Sequence, residues 1–195
     1  MVRAWYLEPT GDNDLSVSVP GDEQLLNQEE VTTTTGVRIY HITISRNPND
    51  PVLHKLKQDI GIRYEDVIVI KEGKPEYRNQ VRVFGTEHLH PDDEIRWLET
   101  GVTYYDVRTL DDGWVRLELS KGDLIVLPAG LYHRLVLAPG KTYLKMRRYF
   151  ASESRWAGHR RPADDHPARR KYLAAMGPEV AVEGMRTDHA YRRLH

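Results

Sequence analysis

Hydrophobic and polar positions alternate most regularly in the middle of the chain. VRLELS (115–120) sets Val115, Leu117 and Leu119 on one face and Arg116, Glu118 and Ser120 on the other, the two-residue period of a half-buried strand. From Val81 to Phe150, segments rich in Val, Ile, Leu and Tyr are cut by GT, HPDD, ETG, LDDG, KGD, PAG and APGK. Short strands with that punctuation predict a mainly β sandwich or barrel. Val37, Ile39 and His41 alternate with Arg38, Tyr40 and Ile42 and predict a further strand. The stretch from Pro48 to Ile60 has another period: Val52, Leu53, Leu56 and Ile60 fall at helical spacing. Asn49 or Asp50 stands ready to cap that helix, Pro51 fits its first turn, and Gly61 ends it. Residues 1–30 read as an arm with little regular structure. Thr32 to Thr35 read as a loop or edge strand, because β-branched side chains stiffen an extended backbone. Beyond Trp156 the chain turns rich in Arg, His and Pro, and residues after about Leu173 read as loosely ordered.

The length of 195 residues fits one domain with arms, expected to span residues 1–174 and to leave a flexible tail over 175–195. With 28 Lys+Arg against 29 Asp+Glu, the net charge is −1. That balance argues against a protein built to hold nucleic acid. The absence of cysteine excludes disulfides, thiolate metal sites and cysteine nucleophiles. No apolar run approaches the ~20 residues of a membrane span, and MVRAWYLEPTGDND lacks the pattern of a signal peptide. A soluble, monomeric, cytoplasmic protein is expected, also nuclear in a eukaryote, with no membrane partner.

Chemistry concentrates in two segments. In GTEHLHPDDE (85–94), an extended backbone points His88 and His90 to the same side. Pro91–Asp92–Asp93 makes a turn, and Glu94 returns a carboxylate beside the two imidazoles. From Glu94 the same parity runs inward through Arg96 and Leu98. In GDLIVLPAGLYH (122–133), a strand and a Pro-Ala-Gly turn deliver a third imidazole, His133. Three nitrogens and one oxygen suit a divalent first-row metal such as Fe, Ni, Co, Mn or Zn. Taken singly, an HxH pair, a lone glutamate or a histidine after a turn is usually an ordinary surface or core residue. The joint pattern points to ligation by His88, His90, Glu94 and His133. His41 and His54 read as structural or surface residues. His159, His166, His189 and His195 fall outside any motif, with His159 and His166 at best near the site.

These two segments resemble the two motifs of the cupins, which line a small jelly-roll β-barrel in that superfamily. Within it, FGTEHLHPDDEIR (84–96), YYDVR (104–108), WVR (114–116) and KGDLIVLPAGLYHR (121–134) are similar to acireductone dioxygenases. VRAWYLE at the start and Trp156 with Arg161–Pro162–Ala163–Asp164 extend the likeness over roughly residues 1–175. The resemblance implies a cupin barrel with a few peripheral helices and one Fe2+ or Ni2+ per chain. It also implies a dioxygenase of methionine salvage, acting on 1,2-dihydroxy-3-keto-5-methylthiopentene and O2. With iron the products are formate and 2-keto-4-methylthiobutyrate; with nickel some members release formate, carbon monoxide and methylthiopropionate.

The same resemblance implies two substrate-orienting arginines. One maps onto Arg96. The other maps onto Arg148 when Tyr143, Lys145 and Trp156 are aligned, and onto Arg147 by direct count from His133. Parity favours Arg148, which shares the apolar face of Leu144, Met146 and Phe150. Phe84, on the parity of His88, serves either as apolar wall for the methylthio tail or as plain core. Departures from the family pattern surround the pocket. Gly101–Val102–Thr103–Tyr104–Tyr105–Asp106–Val107–Arg108–Thr109 stands where family members have a Gly-Ser-Gly-like turn followed by YFDVRD, and Glu99 stands where an apolar residue is common. Arg147 and Tyr149 flank Arg148, Ser154–Arg155 replaces a Pro–Val pair, and Gly158–His159–Arg160 replaces an aromatic–Asn pattern. Two other readings use the same ligands: a non-catalytic metal-bearing cupin that binds a small acid or sugar, and a cupin isomerase or hydrolase using the metal as a Lewis acid.

Overall fold

The computed structural model describes residues 2–7, 19–42, 50–152 and 158–177. In chain order the elements are β1 (Arg3–Tyr6), α1 (Gln28–Thr35), β2 (Arg38–His41), α2 (Pro51–Ile60), β3 (Tyr64–Lys71) and α3 (Tyr77–Gly85). There follow β4 (His88–Leu89), β5 (Glu94–Thr100), β6 (Val102–Arg108), β7 (Trp114–Ser120), β8 (Asp123–Leu127), β9 (His133–Leu137), β10 (Tyr143–Phe150), β11 (His159–Arg160) and α4 (Pro167–Met176). The strands form two antiparallel sheets, ordered β1-β7-β6-β9-β4-β11 and β2-β8-β5-β10-β3. Among the described residues no helix is long and apolar enough to cross a membrane.

The inner faces of the two sheets share one apolar cluster. Val107, Leu117, Leu119 and Leu135 come from the first sheet, and Ile70, Leu98, Ile125 and Met146 from the second. Removal of this surface from water is the main force holding the sheets together. The alternation in 115–120 holds, with Val115, Leu117 and Leu119 buried. Its polar side is not all solvated: Arg116 is also fully buried, donating to Asp106 at 2.6 and 2.8 Å. Leu53 and Leu56 of α2 pack on Ile95, Leu124, Val126 and Tyr149, the outer face of the second sheet. The α2 cap is Asp50, whose carboxylate accepts from Val52 and Leu53 N–H.

Three expectations about local structure are corrected. The supposed N-terminal arm contains β1, paired with β7, and the first turn of α1. The threonine run lies in α1, not in a loop or strand. Asn27 and Glu30 form a reciprocal capping box, Thr32 and Thr35 hydroxyls donate to the Gln28 and Val31 carbonyls one turn back, and Val31 and Thr35 bury one face. Capping and burial outweigh the weak β preference of threonine. The strand texture also does not begin at Val81, because α3 runs from Tyr77 to Gly85. Tyr77, Val81 and Phe84 recur at helical spacing and pack on the core. At the other end, α4 continues to Met176, past the expected domain limit at 174. The expected tail beyond residue 177 lies outside the described residues, as do Ser154, Arg155 and Trp156.

Two departures from the family pattern prove to be partners. Glu99 on β5 accepts from Arg147 Nε at 2.7 Å and faces Lys145 Nζ at 2.8 Å. Arg147 thus points out of the barrel.

Candidate metal centre

The two histidine-bearing segments come together through backbone pairing. His88 on β4 sits opposite His133 on β9, so strands far apart in sequence set their imidazoles side by side. The loops are tied as well: Ala129 N–H donates to Asp93 Oδ1 at 2.8 Å, and Gly130 N–H to the His90 carbonyl at 2.9 Å. Glu94 opens β5 on the facing sheet.

The ligand-capable nitrogens of His88, His90 and His133 lie within 4.8 Å of one another. Glu94 joins them, with Oε1 3.2 Å from His133 Nε2 and Oε2 3.5 Å from His90 Nε2. Two rings are held by backbone carbonyls. His88 Nδ1 donates to Thr86 O at 2.7 Å and His133 Nδ1 to Leu131 O at 2.9 Å. That arrangement leaves each Nε2 as a lone-pair donor, the usual support for a metal-binding imidazole. Burial pushes His88 down to about 3 and His90 down to about 4, so both are neutral near pH 7. Burial pushes the Glu94 carboxyl up, but the Arg96 guanidinium outweighs it and holds it well below the usual carboxylate range. Glu94 Oε2 accepts from Arg96 Nη2, while buried Oε1 accepts no hydrogen bond among the described residues. Neutral imidazoles around an ionised, unsatisfied carboxylate oxygen form a donor set that fits a divalent cation.

The centre opens into a cavity of about 190 Å³. Arg96 and Arg148, opposite each other on β5 and β10, both line it. Arg148 is 2% exposed and donates to Asp66 of β3 at 2.7 and 2.5 Å. Phe84 also lines the cavity, delivered by a helix rather than by strand parity with His88. Ile68, Val83 and Leu135 complete an apolar wall. Gly158 covers the imidazoles so closely that a Cβ there would lie 3.3 Å from His88 and 3.6 Å from His90. That covering segment is pinned by the pairing of β11 with β4 and by Arg161, which donates to Glu87 at 3.1 Å and Asp112 at 2.8 Å.

Sequence reasoning missed Asp66 and Tyr105, while Gly158 and Arg160 lie in a stretch already noted beside the pocket. The strand period in VTYYDVR could have found Tyr105, since Thr103, Tyr105 and Val107 share the inward parity. Nothing local marks Asp66, whose role depends on the β3–β10 register. His41 pairs with Asp123 instead of joining the centre. His159 and His166 contact each other, with ring centroids 4.3 Å apart.

The pattern of the ARD/ARD' family matches residues 3–158. The chain belongs to that family. An acireductone dioxygenase of Branchiostoma floridae is 41% identical over 178 residues, covering 91% of this chain and 98% of the relative. One from Ixodes scapularis is 38% identical over 188 residues, covering 93% and 100%. A solved acireductone dioxygenase from Bacillus anthracis, with a cadmium ion in its active centre, superposes with a TM-score of 0.65. It covers 81% of this chain and 97% of its own at 18% identity, a likeness of fold. The two-sheet barrel is therefore the cupin architecture, and the metal-capable cluster of this ARD/ARD' family member sits inside it.

Proposed function

We propose that the protein is a metal-dependent acireductone dioxygenase, cleaving 1,2-dihydroxy-3-keto-5-methylthiopentene with O2. The observation that carries this reading is the convergence of three imidazoles and one unsatisfied buried carboxylate oxygen in a cavity that also holds two arginines. His88, His90, Glu94 and His133 would hold one Fe2+ or Ni2+. A bound ion would withdraw charge from the enediol, favour its ionisation and support the oxidation. Iron would give formate and 2-keto-4-methylthiobutyrate; nickel would add a route releasing carbon monoxide. Nickel stands above iron in affinity at nitrogen and oxygen sites, so metal supply would decide the product.

The protein's own groups would do the rest. Arg96 keeps Glu94 ionised and turned toward the imidazoles. Arg96 and Arg148 place two guanidinium groups where an enediolate would carry negative charge, and guanidinium stays charged at working pH. Asp66 fixes the direction of Arg148. Phe84, Val83, Ile68 and Leu135 offer an apolar surface to a thioether tail. Gly158, lying against the His88 and His90 imidazoles, would limit the approach of water to them and so strengthen the electrostatics inside. The test is anaerobic loading with Fe(II) or Ni(II), addition of acireductone, and measurement of O2 uptake and formate. Metal-dependent uptake is expected, with zinc-loaded protein inactive. A loaded protein that consumes no O2 would refute the reading.

A further inference from the structure

Tyr105 stands on the inner face of β6, 3% exposed, and lines the metal-bearing cavity. Its ring centroid is 6.4 Å from that of His133. The hydroxyl donates to Met146 Sδ at 3.3 Å, and a thioether is a weak acceptor. The Arg96 guanidinium lies beside the same hydroxyl. Arg96 Nη2 is engaged by Glu94, whereas buried Nη1 makes no hydrogen bond among the described residues. One wall of the cavity therefore carries a buried phenol on a poor acceptor and a buried guanidinium nitrogen on none. A buried donor without a good acceptor is costly, and both residues line the cavity a ligand would occupy.

We propose that Tyr105 touches substrate: its hydroxyl and Arg96 Nη1 together hold one anionic oxygen of the enediolate. The two donors differ in kind. The guanidinium supplies charge, and the phenol supplies a neutral O–H set by a rigid ring on a central strand. Their placement beside the Glu94 end of the cavity selects ligands with an oxygen anion there and an apolar tail toward Phe84. This inference rests on the dioxygenase reading and names a substrate contact in that same site.

The experiment compares Tyr105→Phe with Met146→Leu. Phenylalanine keeps the ring and deletes only the hydroxyl; leucine deletes the sulfur acceptor and leaves the hydroxyl in place. Acireductone is titrated anaerobically into metal-loaded protein and followed by its ultraviolet absorption, with metal content and Tm measured on the same samples. Tyr105→Phe is expected to bind acireductone roughly ten- to hundredfold more weakly, the range for a hydrogen bond to a charged group. Its metal content should be unchanged and its kcat/KM should fall by a similar factor. Met146→Leu is expected to bind within about twofold of wild type, as a volume-conserving swap. If Tyr105→Phe keeps wild-type Kd and kcat/KM while wild type turns over, the tyrosine contact is overturned and the dioxygenase reading stands. If both variants weaken binding equally, the hydroxyl acts through Met146 and the contact is likewise overturned. A metal-loaded wild type that neither binds acireductone nor consumes O2 overturns both readings.

Discussion

Replacing Asp66 by alanine should destabilise the protein more than replacing the arginine it holds. The two side chains of this ion pair are unequally buried: Arg148 is 2% exposed and Asp66 28%. Burial pushes the Arg148 guanidinium pKa down, Asp66 pushes it back up, and facing Arg96 adds to the lowering. Asp66→Ala leaves a buried cation without that carboxylate and still opposite a second cation. Breaking a buried pair costs about 3–5 kcal/mol. Partial exposure of Asp66 lets water reach the gap, which brings the expected cost below that range, to about 2–3 kcal/mol. Arg148→Met instead leaves a carboxylate with access to water and removes the repulsion with Arg96, so about 1 kcal/mol is expected. The double variant should resemble Arg148→Met and be more stable than Asp66→Ala alone, a coupling of about 2 kcal/mol within the range for contacting groups. Urea unfolding of metal-free protein at low ionic strength, followed by circular dichroism, reads this as shifts in midpoint at constant m. If Asp66→Ala costs no more than Arg148→Met, or if the double variant is no more stable than Asp66→Ala, the assigned asymmetry is wrong.

His133→Ala should lose most bound metal and all turnover, measured by elemental analysis after equal loading, because it removes a carbonyl-oriented nitrogen beside Glu94. Arg96→Ala should retain metal while kcat/KM falls roughly a hundredfold, the scale for one charge-stabilising donor; undiminished kcat/KM would remove its substrate role. The folded pKa values of His88 and His90, about 3 and about 4, lie below the ordinary 6.5, so the unfolded chain takes up protons first as pH falls. Their contribution to stability should be complete above about pH 6.5 and decline toward pH 4 and below. Glu94, lowered as well, acts with the same sign, and the Tm of metal-free protein should drop across that range; a flat profile contradicts the buried neutral imidazoles. Asn27→Ala should cost about 1 kcal/mol and lower Tm by a few degrees, since it opens the capping box of α1.

The ligand-capable set was legible because its local geometry is short-range. His88 and His90 share a side through the strand period, and Glu94 returns after a turn of a few residues. The Arg147 and Arg148 alternatives separated on the same period: the face holding Leu144 and Met146 is the buried one. Period failed where capping and packing decided instead. The threonine run looks extended by side-chain type, yet Asn27, Glu30 and the burial of Val31 make it helical. Phe84 lines the cavity, but α3 rather than strand parity with His88 carries it there.

By itself the sequence determined the periods, the turns, the residue types capable of holding a metal, and the family. Those properties reside in neighbours along the chain or in the motif as a string. Only the tertiary structure decided that His88 faces His133, that Asp66 holds Arg148, that Glu99 offsets Arg147, and that Tyr105 and Arg96 line one cavity together. Each of these depends on register between strands distant in sequence. Such register is set by the summed packing of both sheets on one apolar core, a property that no local stretch of residues contains.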